Sequence, residues 1–461
     1  MENFNNMCLK NNVISVKSEK FVFPGRSLCR CSDGIVLFTD GLLPGESAMV
    51  LVTKDKKTFR EGRLINVTSR SYERIDPLCS SFNLCGGCSF QNIPYEDQIK
   101  YKQEYITELL DFTGVKISSM LKSSLIWNYR NKMEFSFFNN NGVVDLGLHC
   151  KGSFDNCVSV HSCFIANENF ARIIEIIRKF VNDNNFSVYN NKTHEGFLRR
   201  LILRKFINSG QFLINMITNV IGYEMLFLKS LTNELRKFSD SIYLTFNNDN
   251  NANFNIVSSV NLKLISGKSF VTEKLNICNK DYFFNISPFS FFQVNSKCAE
   301  ILYSEIFKLL NPSKKDTMLD LYCGTGTISI PMAQNIKKIV CIDYFEQAIH
   351  NAKENAIING VNNIEFYSLN VQDWIKKMDK NNFSIIIIDP PRSGITKNII
   401  KFLINSNAEK IVYVSCNPST LARDIKLILE SGKYNVKDIR PVDMFPQTYH
   451  VEIISLLCLN I

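Results

Sequence analysis

Ser415-Cys416-Asn417-Pro418 follows the apolar run Ile411-Val412-Tyr413-Val414 and places one cysteine where a buried parallel strand runs out. The Asn-Pro pair behind it forces a turn, so the thiol does not continue into the core. Ile385-Ile386-Ile387-Ile388 ends in a similar way, in Asp389-Pro390-Pro391-Arg392, with two prolines stiffening the loop behind a carboxylate. Upstream, Met318-Leu319 leads into Asp320-Leu321-Tyr322-Cys323-Gly324-Thr325-Gly326. Ligands of open α/β sheets sit at the carboxyl ends of the strands. A glycine turn, a carboxylate and a thiol at three such ends point to covalent chemistry on a substrate beside a nucleoside-type cofactor.

Each feature has a plainer reading when taken alone. Cysteine is commonly a buried hydrophobe, and Cys323, Cys341 and Cys458 are read that way. Asp-Pro-Pro is often a loop brace, and Glu452, ahead of the apolar run Ile453-Ile454-Ser455-Leu456-Leu457, would by itself be a surface carboxylate. The combination tips Cys416 and Asp389 toward function. Glycines at 324 and 326 let backbone amides approach a ligand closely. The run Ile339-Val340-Cys341-Ile342 ends in Asp343, 23 residues after Asp320, where a carboxylate can accept from both ribose hydroxyls. Ser329 stands where a dinucleotide site prefers a third small residue for phosphate approach.

The elements that must hold these groups form an α/β pattern. From about Phe284, strands alternate with helices, as in a doubly wound sheet. Residues 128–275 read as mixed and mostly β, with strands at Lys132–Phe138, Phe197–Lys205 and Gln211–Met216 and a helix near Glu168–Asn182. Helical spacing of Tyr95, Ile99, Tyr105, Ile106, Leu109 and Leu110 predicts a helix over Tyr95–Phe112. Residues 13–68 hold short apolar runs, at Phe21–Phe23, Gly34–Phe38, Ala48–Val52 and Arg63–Val67, separated by Pro24-Gly25, Asp40-Gly41 and Pro44-Gly45, and predict a small barrel. The expected division is a barrel over 1–72, a cysteine-bearing α+β domain over 73–283, whose helix at 95–112 is free to pack on the catalytic domain, and the catalytic domain over 284–461.

Composition limits the remaining possibilities. A chain of 461 residues exceeds what one core usually serves, and 45% apolar with 21% charged residues is ordinary for a globular protein. No run of about 18 apolar residues is present, so no membrane partner is expected. Met1-Glu2-Asn3-Phe4-Asn5-Asn6 lacks the basic start and apolar stretch of a signal peptide, which makes the cytoplasm the expected location. The 15 cysteines then read as reduced thiols, with any cluster metal-binding or catalytic. A net charge of +9 permits an anionic partner, although Asn-rich stretches such as Asn247–Asn253 fit a mere compositional bias. Cys79, Cys85 and Cys88 make a C-x5-C-x2-C loop around Gly86-Gly87 that can wrap a metal centre. The fourth ligand must come from afar; Cys157, His161 and Cys163 are candidates, and four thiolates suit either zinc or an iron-sulfur centre.

The motifs Asp320-Leu-Tyr-Cys-Gly-Thr-Gly, Asp389-Pro-Pro-Arg-Ser-Gly, Ser415-Cys-Asn-Pro-Ser-Thr-Leu-Ala-Arg-Asp and His450-Val-Glu, with Phe291-Phe292-Gln293-Val294-Asn295 before them, resemble the S-adenosylmethionine-dependent RNA uracil-5-methyltransferases. The resemblance runs over most of the chain and implies a class I, Rossmann-like methyltransferase domain. It implies that Cys416 adds to C6 of uracil, that Glu452 is the base removing the C5 proton, and that Asp389 reads the base edge. It further implies that Phe291 stacks on the target base, that Arg392 lies beside the substrate, and that Gln293, Tyr322, Gly324, Gly326, Asp343, Asn370 and Asp389 surround the cofactor. Asp343 replaces a more usual glutamate. Asn370 stands where the family has a Gly-Asp pair near the adenine.

Cys163 matches the family's distant cysteine, which implies a [4Fe-4S] cluster on Cys79, Cys85, Cys88 and Cys163, with structural zinc as the alternative. Gly25-Arg26-Ser27-Leu28, Asp33-Gly34 and Leu43-Pro44-Gly45-Glu46 resemble a TRAM domain, an RNA-binding barrel. Arg199, Arg200, Arg204 and Lys205 extend an RNA path or form the solvated side of a strand. Barrel and cluster together resemble the iron-sulfur 23S ribosomal RNA branch, with transfer RNA as the alternative substrate. A monomer is assumed. An exocyclic-amine methyltransferase needs no thiol and places an aromatic residue after its proline pair, so Arg392 and Cys416 argue against it. A nicotinamide oxidoreductase and a non-catalytic RNA-binding factor are the more distant readings.

Overall fold

A computed structural model of the chain describes residues 9–153, 155–219, 231–247, 262–377 and 383–460. Residues 1–6 and 248–253, on which the signal-peptide and Asn-rich readings rest, lie outside the described residues. The strands β1 (Val13–Val22), β2 (Arg26–Arg30), β3 (Val36–Thr39), β4 (Ser47–Asp55) and β5 (Phe59–Ser69) close into a barrel in the order β1-β2-β3-β5-β4. Its interior is small and apolar, built on Val16, Cys29, Leu37, Ala48, Val50 and Val52. β2 is a full member of the barrel, paired antiparallel with β1 and β3, and its Ser27 hydroxyl donates to Leu42 O at 2.6 Å.

The middle of the chain forms a second sheet of seven strands in the order β12-β11-β10-β9-β6-β7-β8. These are β6 (Lys132–Asn140), β7 (Val143–His149), β8 (Cys157–Ser159), β9 (Leu198–Lys205), β10 (Phe212–Thr218), β11 (Ser241–Phe246) and β12 (Leu262–Gly267). The amphipathic helix α2 (Asn169–Asp183) covers one face through Phe170, Ile173, Ile174, Ile177 and Val181. The earlier helix α1 is Tyr95–Leu110, two residues shorter than its periodicity predicts, because Asp111–Thr113 tightens into a 3-10 turn. Its buried face, Ile99, Ile106 and Leu110, packs into the core of the catalytic sheet.

That sheet contains β15 (Thr317–Leu321), β16 (Lys338–Asp343), β17 (Ile364–Ser368), β18 (Ile385–Ile388), β19 (Lys410–Ser415), β20 (Tyr434–Val442) and β21 (Glu452–Leu459), ordered β17-β16-β15-β18-β19-β21-β20. The first five in this order are parallel; β21 runs antiparallel between β19 and β20. The central isoleucines 385–388 are buried on both faces, and burying each such side chain contributes about 1.5–3 kcal/mol. A hairpin of β13 (Val271–Ile277) and β14 (Lys280–Ile286) shares this core, so residue 284 falls inside a strand. The helix α3 (Ser296–Leu310) enters the same core, its first turn capped by the Asn295 side chain.

Candidate active site

Reversal of β21 decides which groups meet. The parallel strands all point their carboxyl ends at one lip of the sheet, and Leu321 is level with Ile342 and Ile388, as is Ile388 with Tyr413. Because β21 is antiparallel, its first residue reaches that same lip. Glu452 pairs with Val442, and Ile453 with Ser415, the residue before Cys416. Glu452 is only 3% exposed, so the surface carboxylate expected of this position in isolation is instead buried at the site.

Cys416 occupies the elbow between β19 and the helix α4 (Pro418–Leu429), whose N-terminus is capped by Asn417. Asn417 also donates from Nδ2 to Arg392 O at 2.9 Å, tying the thiol loop to the Asp389 loop. Asp424 completes the tie: its buried carboxylate accepts from Tyr413 Oη at 2.8 Å and Ile395 N at 3.0 Å. A Cβ at Gly394 would lie 2.5 Å from that carboxylate. The last residue of each motif, Gly394 and Asp424, therefore holds the reactive loops in register without touching the reaction. Sequence reasoning missed this pair, for which the paired motif ends were the available signal.

At the same lip, after β15, Gly324 has φ +55°, and nothing lies within 4 Å of where a Cβ would project. Tyr322, a bulky residue, is held at φ +66°, an outlier of the kind found where backbone is shaped around a ligand. The Asp343 carboxylate accepts from Gly324 N at 3.0 Å and Phe345 N at 2.9 Å, fixing it at the rim of this turn. Gly326 has another task. At φ +80° a Cβ would stand 2.9 Å from Ile330, so the glycine lets the turn pack onto the following chain.

One cavity of about 1240 Å³ joins these parts. It is lined by Phe291, Gln293, Tyr322, Gly324, Asp343, Asp389, Arg392, Cys416 and Glu452, and it extends to Cys79, Cys85, Cys88 and Cys163. Gly326 and Asn370 are the two expected site residues absent from its lining. Asn370 Oδ1 instead accepts from Gln372 N at 2.9 Å at the start of a helix. Phe291 is 64% exposed beside the opening, a free aromatic face of the kind a base stacks on. Of the four basic residues on β9, Arg200 and Arg204 line the cavity. Arg204 is 1% exposed and donates to Ser290 O at 2.9 Å, which corrects the reading of a solvated strand side. Cys323 and Cys341 are buried as expected, whereas Cys458, near the end of its strand, is half-buried.

Electrostatics in the cavity follow from burial of its ionisable groups. Burial pushes the Asp389 carboxyl up to about 7, and burial with Asp389 beside it raises Glu452 well above the usual carboxylate range. Two neighbouring buried carboxyls resist carrying two negative charges. Cys416 is pushed up to about 12, by burial first and then by Glu452 and Asp389, so the resting group is a thiol. His450 lies in the same wall, its ring against Tyr449 at 4.1 Å between centroids. Burial and the cations Arg392, Lys102 and Arg130 push it down to about 3, which keeps the imidazole neutral.

The cysteines gather in one wall. Burial raises Cys85, Cys88 and Cys163, and each is also within the field of other thiols of the set; Cys88 reaches about 12. Among the described residues no three metal-ligating side chains converge on a single point. Cys157 is instead 3.7 Å from His149 Nδ1, and His161 is 3.2 Å from Glu175, so these two rivals for the fourth place are engaged elsewhere. Among the described residues no helix is long and apolar enough to cross a membrane.

Comparison with known proteins bears on the same residues. A family model described as tRNA (Uracil-5-)-methyltransferase matches residues 94–459. An uncharacterized RNA methyltransferase of Caldanaerobacter subterraneus subsp. tengcongensis is 36% identical over 453 residues, covering 97% of this chain and 99% of that protein. Another, from Clostridium tetani, is 33% identical over 454 residues, covering 96% and 97%. Among solved structures, the Pyrococcus abyssi tRNA (uracil-54, C5)-methyltransferase in complex with S-adenosyl-L-homocysteine superposes with a TM-score of 0.75 at 26% identity, covering 96% of this chain and 100% of that one.

Proposed function

The chain belongs to the tRNA (uracil-5-)-methyltransferase family and is an RNA methyltransferase, and from that premise we propose that it methylates C5 of a uridine in structured RNA through a covalent Cys416 adduct. The observation that carries this reading is the convergence of Cys416, Asp389 and Glu452 on one lip of the sheet, beside the open Gly324 turn. S-adenosylmethionine supplies the methyl group and leaves as its homocysteine thioether. Gln293, Tyr322 and Asp343 would hold it, with Gly324 leaving room for its approach.

Uracil C5 is a poor nucleophile. Cys416 sulfur, losing its proton, adds to C6, and the electrons of the C5–C6 double bond move to C5 and O4. C5 takes the methyl group. Glu452 then removes the C5 proton, the C5–C6 double bond re-forms, and the C6–sulfur bond breaks to free the enzyme. Asp389 accepts from uracil N3–H, a group cytosine lacks, and Phe291 stacks on the ring. The neutral Cys416 thiol gives its proton to solvent as sulfur adds, which leaves Asp389 to accept from N3–H and Glu452 to take the C5 proton.

For the RNA itself, barrel and cysteine loop support 23S ribosomal RNA first, and the likeness to a transfer RNA enzyme supports transfer RNA as the alternative. Mapping 5-methyluridine in both RNAs from cells with and without the gene tests this. The expected result is loss of one ribosomal 5-methyluridine; loss from transfer RNA alone would select the alternative. Retention of every site, with no tritium released from [5-³H]uridine RNA by the pure protein, would favour a non-catalytic RNA-binding role.

The four thiols fit a metal centre by donor type, and we assign Cys79, Cys85, Cys88 and Cys163 to a [4Fe-4S] cluster. Cys88 lies in the field of Cys163, Cys85 and Cys79, and four such thiolates suit an iron-sulfur centre, with zinc as the alternative. Its place is structural, because transfer from a sulfonium requires no electron. Anaerobically purified protein should be brown and contain iron; a colourless protein with one equivalent of zinc would reject the cluster.

A further inference from the structure

The chain from Asp443 to Val451, which delivers Glu452 to the site, is held mainly by residues that precede it by hundreds of positions. Lys102 Nζ donates to Asp443 Oδ1 at 2.6 Å, and Asn295 Nδ2 to Met444 O at 3.1 Å. Tyr129 Oη donates to Pro446 O at 3.0 Å. Gln447 is the most tightly held. Its carbonyl accepts from Ser89 N and Phe90 N, both at 3.0 Å. Its N–H donates to Gln98 Oε1 at 2.9 Å, and its Oε1 accepts from Gln98 Nε2 at 3.0 Å. Two residues on, Tyr449 N donates to Ser89 Oγ at 2.9 Å.

Gln447 adopts φ +68° and is 2% exposed. A non-glycine residue in the left-handed region costs of order 1 kcal/mol or more and persists only where its surroundings enforce it. Here the enforcing groups are Gln98, itself fully buried on α1, and Ser89, the residue directly after Cys88. The bend they impose lies five residues before Glu452, so the entry of β21 into the lip depends on it.

We infer that Gln98 and Ser89 are positioning residues for the proton-abstraction step: Gln98 by clamping Gln447, and the Ser89 hydroxyl by holding Tyr449 N, set the Glu452 carboxylate against substrate C5. The inference rests on the uracil-adduct reading above. A clamp of this kind acts on one step. Thiol addition and methyl transfer use Cys416 and the cofactor turn, which stand on other strand ends, whereas resolution of the methylated adduct uses Glu452 alone. Displacing a catalytic group by about 1 Å can cost about 10²-fold in rate.

The test is single-turnover methylation of a target RNA by the full-length holoenzyme carrying Gln98→Ala, Ser89→Ala or Ser89→Thr, followed on denaturing gels. Gln98→Ala and Ser89→Ala should slow resolution at least about tenfold, so that a methylated covalent species accumulates, with the KM for S-adenosylmethionine unchanged. Ser89→Thr keeps the hydroxyl and should restore resolution. If Gln98→Ala fails to fold, the Ser89 pair carries the comparison. Folded variants that resolve the adduct at the wild-type rate, or that slow addition and resolution equally, would overturn the inference. Glu452→Gln is the control: if it traps no adduct, the reaction reading itself fails, and the clamp with it.

Discussion

Replacing Cys416 by alanine abolishes both the covalent protein–RNA species and methyl transfer, while the protein stays folded. The two losses come together because the thiol makes C5 reactive: without addition at C6, the pyrimidine has no carbanion character to direct at a methyl group. Stability should change by no more than about 1 kcal/mol, since the side chain is half-buried and points to the cavity rather than the core. Denaturing gels, methyl incorporation and thermal melts check the three parts. Normal turnover by Cys416→Ala would sink the mechanism.

Replacing Glu452 by glutamine has the opposite signature. Addition and methyl transfer still occur, but the C5 proton is not removed, and the thiolate cannot leave. A methylated, covalent protein–RNA species then survives denaturation, and multiple turnover falls by about 10²–10⁴-fold, the usual worth of a positioned base. The wild-type enzyme should show the carboxyl pair in its pH profile. Asp389 and Glu452 are both raised, Asp389 to about 7, by burial and, for Glu452, by the neighbouring carboxyl. An acid with a raised value gains its charge only as pH climbs past that value, so turnover should rise between about pH 6 and pH 8. Binding of a positively charged sulfonium favours the ionised pair and moves that rise to lower pH at saturating cofactor. A profile flat across this range would remove Asp389 from the ionisation that limits turnover, and Glu452→Gln turning over without trapping would remove Glu452 from its role.

How much of this was legible depends on whether a residue's surroundings are local. Cys416 and Asp389 stand at the ends of continuous apolar runs, and such runs in a parallel sheet stop at the ligand edge, so their place follows from the chain around them. The glycine turn and Asp343 follow for the same reason. Strands of the second sheet such as β6, β9 and β10, and the amphipathic helix α2, lie within a residue or two of their expected limits. β2 was not picked out, because Arg26–Arg30 is only five residues long and has just Leu28 and Cys29 as apolar members. Its membership depends on barrel closure.

Other features need the whole molecule. Glu452 precedes an apolar run instead of ending one, and only the reversed insertion of β21 between β19 and β20 brings it to the lip. Arg204 stands beside Lys205 at the charged end of β9, as a solvated strand residue would, yet packing of β9 against the 290 loop buries it. Asn370 has the right position in the chain for adenine, but its oxygen is spent on the helix that follows.

Chemistry carried by consecutive residues is written in the sequence itself: strand ends, a turn, a cysteine loop, and the family they belong to. Distances between segments are not, because hydrogen bonds and packing across hundreds of residues set them. The reversed last strand and the Gln98–Gln447 clamp are of that second kind, and they decide where the proposed base stands.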